Sequence, residues 1–277
     1  MPSTFKFQLD LDYLNDLVAT HRSDYLQATR FPHVVIDDFL PPEFLESVLH
    51  EFPQVDSVQW QTFENAAEKK LASTHELQMR ELTQFLLYQL NSSTFLNFLE
   101  QLTGIDGLIS DPHFVGGGLH QIERGDYLKM HVDFNHYDRL KLDRQLNLLT
   151  YLNQNWSDTY GGNLELCDQE MTRCEKKILP IFNRCVIFST TDFSYYGHPE
   201  PLTCPEGTTR KSLALYYYSN GRPDSEVTNA HSTIFRDQLG LESLPTLAAK
   251  PTAKDRIKPF IPPILIDRWH KFKHKQD

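Results

Sequence analysis

The chain has 277 residues, 40% hydrophobic and 23% charged, enough for one globular domain with appendages or for two small ones. A formal net charge of −10 leaves no broad basic surface for phosphates, which argues against nucleic acid as a partner. No apolar run approaches the length that spans a bilayer, so no transmembrane segment is expected.

Met1 to Thr20 carries Asp10, Asp12 and Asp16 and lacks a continuous apolar core. That pattern does not make a secretory signal peptide, and the cytoplasm is the expected compartment. His33 to Asp37 reads as a strand. Leu40-Pro41-Pro42-Glu43 then opens a helix, with proline where the first turn tolerates it and an apolar face of Phe44, Leu45, Val48 and Leu49. Residues 53–75 are polar with scattered aromatics (Trp60, Phe63) and no clear period, as in a surface loop. Two helices are predicted next. The first covers about 76–90, with Leu82, Phe85, Leu86 and Leu90 inward. The second covers about 93–103, with Phe95, Leu96, Leu99 and Leu102 inward, and stops at Gly104. From Phe114 to Ser219 short strands alternate with Gly, Asn and Pro turns, the pattern of an antiparallel double-sheet barrel that the helices would buttress.

Within that barrel, Tyr127-Leu128-Lys129-Met130 alternates polar and apolar residues into His131-Val132-Asp133. Residues i and i+2 of a strand share a face, so the His131 imidazole and the Asp133 carboxylate can converge on one ion. A second His-x-Asp, His136-Tyr137-Asp138, lies in the polar cluster Asn135 to Arg139, which reads as a loop. There His136 is either a solvated side chain or a secondary group at a pocket mouth. On the strand Leu146 to Asn153, Leu149 and Tyr151 share a face; Tyr151 is either a core residue or a phenol turned to a ligand. A strand from Arg184 to Ser189 and a loop from Thr190 lead to His198, which Gly197 and Pro199 present from a constrained turn.

On the following strand Arg210, Ser212, Ala214 and Tyr216 share one face, while Lys211 points to solvent on the other. An arginine facing a barrel interior is costly without an anion. A carboxylate ligand held by the planar fork removes that cost. His131, Asp133 and His198, with other metal positions open, form the two-histidine, one-carboxylate set that suits Fe(II) oxygenases. Cys167, Cys174, Cys185 and Cys204 show no Cys-x-x-Cys pair and no zinc-like spacing, so reduced thiols are expected. After Gly221, residues 222–249 read as a loop plus a short helix, and the tail from Lys250 is basic. Leu265, Trp269 and Phe272 fall on one helical face of that tail, which packs back on the domain or docks on a membrane surface or partner.

Taken in order from about Gly116 to Gly221, these motifs resemble the 2-oxoglutarate- and Fe(II)-dependent oxygenases, within them the prolyl-4-hydroxylase-like branch. The resemblance rests on the Gly-rich lead-in, His131-Val132-Asp133, Tyr151-Leu152-Asn153, Trp156, Gly161 to Leu166, the strand 184–190, His198 and Arg210-Lys211-Ser212. It implies an α+β fold with a double-stranded β-helix (jelly-roll) core buttressed by N-terminal helices. It implies that His131, Asp133 and His198 bind Fe(II), and that Arg210 and Tyr151 hold the distal carboxylate of 2-oxoglutarate. Leu149 and Ser212 would line the same co-substrate pocket. Dioxygen is the implied oxidant, with ascorbate as an accessory. Collagen-type prolyl hydroxylases use lysine for the clamp; Arg210 matches the oxygen-sensing type, and Lys211 is the alternative should the register slip by one. The implied reaction is oxidative decarboxylation of 2-oxoglutarate to succinate and carbon dioxide, coupled to hydroxylation of an unactivated C–H. In prolyl hydroxylases a mobile loop folds over the substrate, and the resemblance implies residues 55–72 as the corresponding lid, with a plain surface loop as the other reading.

The chain thus divides into a support region (1–110), a catalytic core (111–221) and a C-terminal extension (222–277). The leading substrate is a prolyl or other aminoacyl residue in a peptide or protein; small-molecule or carbohydrate tailoring is the alternative. An open groove beside His131 with an ordered lid would mark a peptide, and a closed pocket lined by residues 134–144 a small molecule. A barrel that binds metal or ligand without turnover is disfavoured because every ligand and the clamp are intact. A zinc hydrolase using His131, Asp133 and His136 or His198 leaves Arg210 unexplained.

Overall fold

The computed structural model describes residues 7–171, 174 and 176–236. Helix α1 (Leu11–Gln27) starts where the Asp10 carboxylate accepts the Asp12 and Tyr13 backbone N–H groups, and it buries Leu14, Leu17 and Tyr25. No helix was expected at Leu11–Gln27. Strand β1 (His33–Ile36) and helix α2 (Pro42–Glu51) form as expected, with Phe44, Leu45 and Val48 buried. The expected helix 76–90 divides into one 3₁₀ turn (Glu76–Gln78) and α3 (Glu81–Leu90). The division has a distant cause: the Glu51 carboxylate caps α3, accepting from Leu82 N at 2.9 Å and Thr83 N at 3.1 Å. Helix α4 (Ser93–Thr103) runs from a Ser92 side-chain cap to Gly104, whose φ of 76° lies in the left-handed region that ends helices.

Segment 55–72 is not an unpaired loop. It contains β2 (Gln61–Glu64) and leads through β3 (Lys69–Ser73), a hairpin that joins the sheet. The remaining strands are β4 (Ile109–Ser110), β5 (Gly118–Ile122), β6 (Leu128–Val132), β7 (His136–Tyr137), β8 (Leu142–Tyr151), β9 (Leu164–Leu166) and β10 (Lys176–Ile178). They continue with β11 (Cys185–Ser189), β12 (Tyr196–His198), β13 (Arg210–Ser219) and β14 (Ile234–Phe235). The larger sheet runs β1-β11-β8-β13-β5-β3-β2, with β4 paired to β13 and β7 to β8; the smaller runs β10-β9-β12-β6-β14. Strands from outside 111–221 therefore complete both sheets. All described residues fall in one compact unit, Met1–Leu241. The architecture is the expected α+β double-stranded β-helix with helices on one side.

Period-two alternation divides the core in two. Leu146 and Leu148 of β8, Cys185 and Ile187 of β11, and Leu213, Leu215 and Tyr217 of β13 pack against Phe95, Leu99 and Leu102 of α4 and their helical neighbours. Leu149, Tyr151, Val186, Phe188, Ala214 and Tyr216 point the other way and meet Leu164, Leu166 and Tyr196 of the smaller sheet. Each fully buried aliphatic or aromatic side chain contributes about 1.5–3 kcal/mol, so both faces of the large sheet are held. The inner layer is also the one from which the site is built.

Two further expectations are corrected. Cys167 and Cys174 form a disulfide, while Cys185 and Cys204 are buried free thiols, so cysteine usage no longer points to a reducing compartment. Lys211 does not run out to solvent: its ammonium donates to Thr209 Oγ1 at 2.7 Å and lies 5.9 Å from the Phe52 ring centroid. Between Gly221 and residue 236, where the described residues end, the chain holds one 3₁₀ turn (Asp224–Glu226) and β14, and the rest of the expected loop plus short helix lies outside them. The basic tail from Lys250, with Leu265, Trp269 and Phe272, lies outside the described residues. Among the described residues no helix is long and apolar enough to cross a membrane.

Candidate active site

Strand β6 delivers His131, and Asp133 follows directly after it. Strand β12 lies antiparallel beside β6, with Tyr196 opposite His131 and His198 opposite Leu128 across a register irregularity. Gly197 permits this approach: a Cβ there would stand 2.8 Å from both the Leu128 and Lys129 carbonyl oxygens. His198 thus ends a strand, where the sequence suggested a turn, and it faces the same interior as His131.

His131 Nδ1 donates to the Lys129 carbonyl at 2.9 Å, which leaves the Nε2 lone pair free, 3.8 Å from Asp133 Oδ1. Asp133 Oδ2 is the occupied oxygen, accepting from Tyr196 Oη at 2.6 Å and Asn147 Nδ2 at 2.8 Å and ion-paired with Arg144 Nη2 at 2.9 Å. Both ring nitrogens of His198 are buried without a hydrogen-bond partner. Burial, then the charges of Arg210 and Lys70, push the His198 pKa well below its ordinary value. Burial also lowers that of His131, outweighing the opposing Asp133 charge. Burial would raise the Asp133 carboxyl, but Arg144, His131, Tyr196 and Asn147 together hold it below the usual carboxylate range. The set is therefore two neutral imidazoles and one carboxylate, the protonation states that ligate metals.

The donors fit a first-row divalent ion. A buried imidazole with two orphaned nitrogens is a polar group whose partner is missing from the protein. The 3.8 Å between His131 Nε2 and Asp133 Oδ1 is within the span of two ligand bonds of about 2.1 Å each. Among the described residues no three His, Cys, Asp or Glu side chains are already drawn up at coordinating range. Closing the set is left to rotation of side chains about a shared ion.

These three residues line a cavity of about 220 Å³ together with Arg210, Ser212 and Leu149. Arg210 is 5% exposed, donates from Nε to the Gly162 carbonyl at 2.8 Å and from Nη2 to Tyr151 Oη at 3.3 Å, and has no ion-pair partner among the described residues. Burial lowers its pKa. Tyr151 is fully buried behind Arg210, outside the cavity lining, and orients the guanidinium through that hydrogen bond. Of the sequence-predicted set, His131, Asp133, His198, Arg210, Leu149 and Ser212 line this cavity, and Tyr151 reaches it only through Arg210. His136 does not join it: its Nδ1 pairs with Asp143 at 2.9 Å on the short β7–β8 ribbon, where the sequence suggested a loop.

Several site residues escaped the sequence reading. Lys70 and Glu68, paired at 3.2 Å, line the cavity from the hairpin, and Phe235 lines it from β14. The hairpin is tied down by Lys69 N to Tyr127 O and Lys129 N to Ala67 O, each 2.8 Å. Arg144 was missed because simple alternation places it with Leu146 and Leu148 on the helix side. Strand β8 carries a bulge: Leu146 pairs with Tyr217, Arg144 with Tyr218, and Gln145 is extra. The bulge reverses the alternation and turns Arg144 into the cavity.

Residues 117–218 match the sequence model of the 2OG-Fe(II) oxygenase superfamily. No curated protein matches the chain. Among solved structures, a Pseudomonas putida prolyl-4-hydroxylase superposes with a TM-score of 0.51 at 16% identity, covering 76% of this chain and 100% of that one. A Trichoplax adhaerens prolyl hydroxylase, solved with a hypoxia inducible factor oxygen degradation domain peptide fragment, gives 0.52 at 18% identity, with 79% and 94% covered. A Phytophthora capsici prolyl 4-hydroxylase gives 0.51 at 18% identity, with 83% and 74% covered. At such identities the likeness is one of fold. The family match spans β5 to β13, the stretch that bears His131, Asp133, His198 and Arg210, and the family implies Fe(II), 2-oxoglutarate and dioxygen. Residues 117–218 thus carry the sequence pattern of the 2-oxoglutarate- and Fe(II)-dependent oxygenases, in a chain with the fold of the prolyl 4-hydroxylases.

Proposed function

We propose that His131, Asp133 and His198 hold Fe(II), that Arg210 binds the distal carboxylate of 2-oxoglutarate, and that the enzyme hydroxylates an unactivated C–H of an aminoacyl-sized group. The observation that carries this is Arg210: a buried guanidinium without a carboxylate at one end of a cavity that presents His131 Nε2, Asp133 Oδ1 and both His198 nitrogens. A carboxylate ligand supplies the missing anion. Tyr151 fixes the guanidinium plane, while Leu149 and Ser212 line the co-substrate's path. Bound Fe(II) would supply dioxygen activation, converting 2-oxoglutarate to succinate and carbon dioxide as the substrate is hydroxylated. The protein's share is orientation and exclusion of bulk water. Ascorbate is proposed only as an accessory reductant.

For substrate, a prolyl or other aminoacyl residue in a peptide or protein is the leading reading, supported by the fold shared with prolyl hydroxylases. A small molecule is the second reading, favoured by one observation. Strand β14 pairs along β6 with Phe235 opposite His131, its ring 5.4 Å away, on the side where a peptide groove was expected. Phe134 and Arg144 also line the cavity, as the closed-pocket reading requires.

The test needs no substrate. Anaerobic addition of Fe(II) and 2-oxoglutarate should produce the visible charge-transfer band of the ternary complex, lost in His131→Ala and weakened in Arg210→Ala. A folded, metal-loaded protein without the band would refute the reading.

A further inference from the structure

Asp133 is gripped by one of its two oxygens. Oδ2 accepts from Tyr196 Oη at 2.6 Å and Asn147 Nδ2 at 2.8 Å, and Arg144 Nη2 pairs with it at 2.9 Å. Arg144 dominates this arrangement. It is 1% exposed, and its guanidinium carbon lies 3.5 Å from the Tyr216 ring centroid and 4.6 Å from that of Phe134. Its Nε and Nη2 also donate to Asn147 Oδ1 at 3.0 and 2.6 Å, so it fixes both the carboxylate and the amide that helps to hold it. Burial works against its charge, and the Asp133 carboxylate beside it offsets that. The bulge at Gln145 turns Arg144 inward.

We propose that Arg144 is the positioning residue for Asp133, holding Oδ2 away from the metal so that Oδ1 alone ligates it. This rests on reading His131, Asp133 and His198 as the iron site. A free carboxylate can turn both oxygens to a metal and occupy a second coordination position. The chemistry proposed above needs open positions for co-substrate and dioxygen. With two hydrogen bonds and an ion pair to a desolvated cation on Oδ2, the second oxygen is unavailable. A lysine cannot substitute: it lacks the planar fork that reaches Asp133 and Asn147 together and that stacks between two rings.

The test is metal binding without turnover. Mn(II) would be titrated into the full chain and the free ion followed by electron paramagnetic resonance, in wild type, Arg144→Lys, Asn147→Ala and Asp133→Ala. Loss of an outer partner of a metal ligand typically weakens binding about 10–100-fold. Arg144→Lys is expected in that range although its charge is kept, with Asn147→Ala weakened in the same direction. The ligand-field bands of bound Co(II) should also shift in Arg144→Lys, as Asp133 turns a second oxygen to the ion. Wild-type affinity and an unshifted Co(II) spectrum in Arg144→Lys would overturn the proposal. Should that variant not fold, Asn147→Ala decides, since it loosens Asp133 without removing a charge; binding within twofold of wild type overturns it. Unaltered Mn(II) binding in Asp133→Ala would instead sink the metal-site reading itself.

Discussion

Replacing Arg210 by methionine should move stability in opposite directions with and without co-substrate. In the free protein Arg210 is a buried cation satisfied by one carbonyl and one phenol, with no anion among the described residues. Methionine removes the desolvation penalty at the cost of those two hydrogen bonds, each a net of about 1.5–3 kcal/mol when charged. The two terms nearly cancel, so the free protein should lose no more than about 1 kcal/mol and can gain. With 2-oxoglutarate the balance reverses. Two charge-assisted bonds to a carboxylate, about 3 kcal/mol together at the low end, amount to at least a 100-fold loss of affinity. Wild type at a ligand concentration of about 100 Kd gains about 2.7 kcal/mol, or roughly 5–10 °C in Tm for a chain of this class. The variant should show almost no shift. The assay is thermal unfolding with Mn(II) in place of iron, with and without 2-oxoglutarate. An Arg210→Met protein that retains the 2-oxoglutarate shift would refute the clamp, and one that loses several kcal/mol without ligand would refute the account of an uncompensated buried charge.

Gly162 has φ +71°, and an added Cβ would lie 2.6 Å from Leu202 Cδ2 and 3.0 Å from Arg210 Cδ. Gly162→Ala should therefore cost about 2 kcal/mol in urea unfolding and weaken 2-oxoglutarate binding measured by calorimetry; unchanged binding would show that Arg210 is not held by this approach. His33, buried on β1 with Nδ1 donating to the Phe31 carbonyl at 3.0 Å, has its pKa lowered by burial and by Lys176. As pH falls below about 6.5 the unfolded chain takes up a proton that folded His33 refuses, so stability declines by at most about 1.4 kcal/mol per pH unit, levelling off below the folded pKa. His33→Phe should lose that share of the difference in unfolding free energy between pH 7.5 and 5.5; an identical pH dependence in both proteins would contradict it.

Much of the molecule is legible in the sequence where local periodicity decides it. Leu146, Leu148, Leu213 and Leu215 alternate with Leu149, Tyr151, Ser212 and Arg210, and the two faces of the large sheet separate them as period two requires. His131-x-Asp133 needs only a strand to bring both groups to one side, and the donors do face one cavity. Gly104 ends α4 because its own backbone can adopt the left-handed region. What the sequence could not reveal depends on partners far along the chain. The start of α3 is set by Glu51, and the aromatic-bearing hairpin at 61–73 is a strand pair because β5 and the start of β6 offer it hydrogen bonds. Strand β14 reaches the site only by pairing with β6. The bond between Cys167 and Cys174 follows from how the chain after β9 turns back. Arg144 is the clearest case. Its sequence position assigns it to the outer face, and a single extra residue in β8, forced by pairing with β13, delivers it to Asp133 instead. Alternation is a property of neighbouring residues, whereas register is decided by the energy of the whole ladder, and only the folded sheet expresses that.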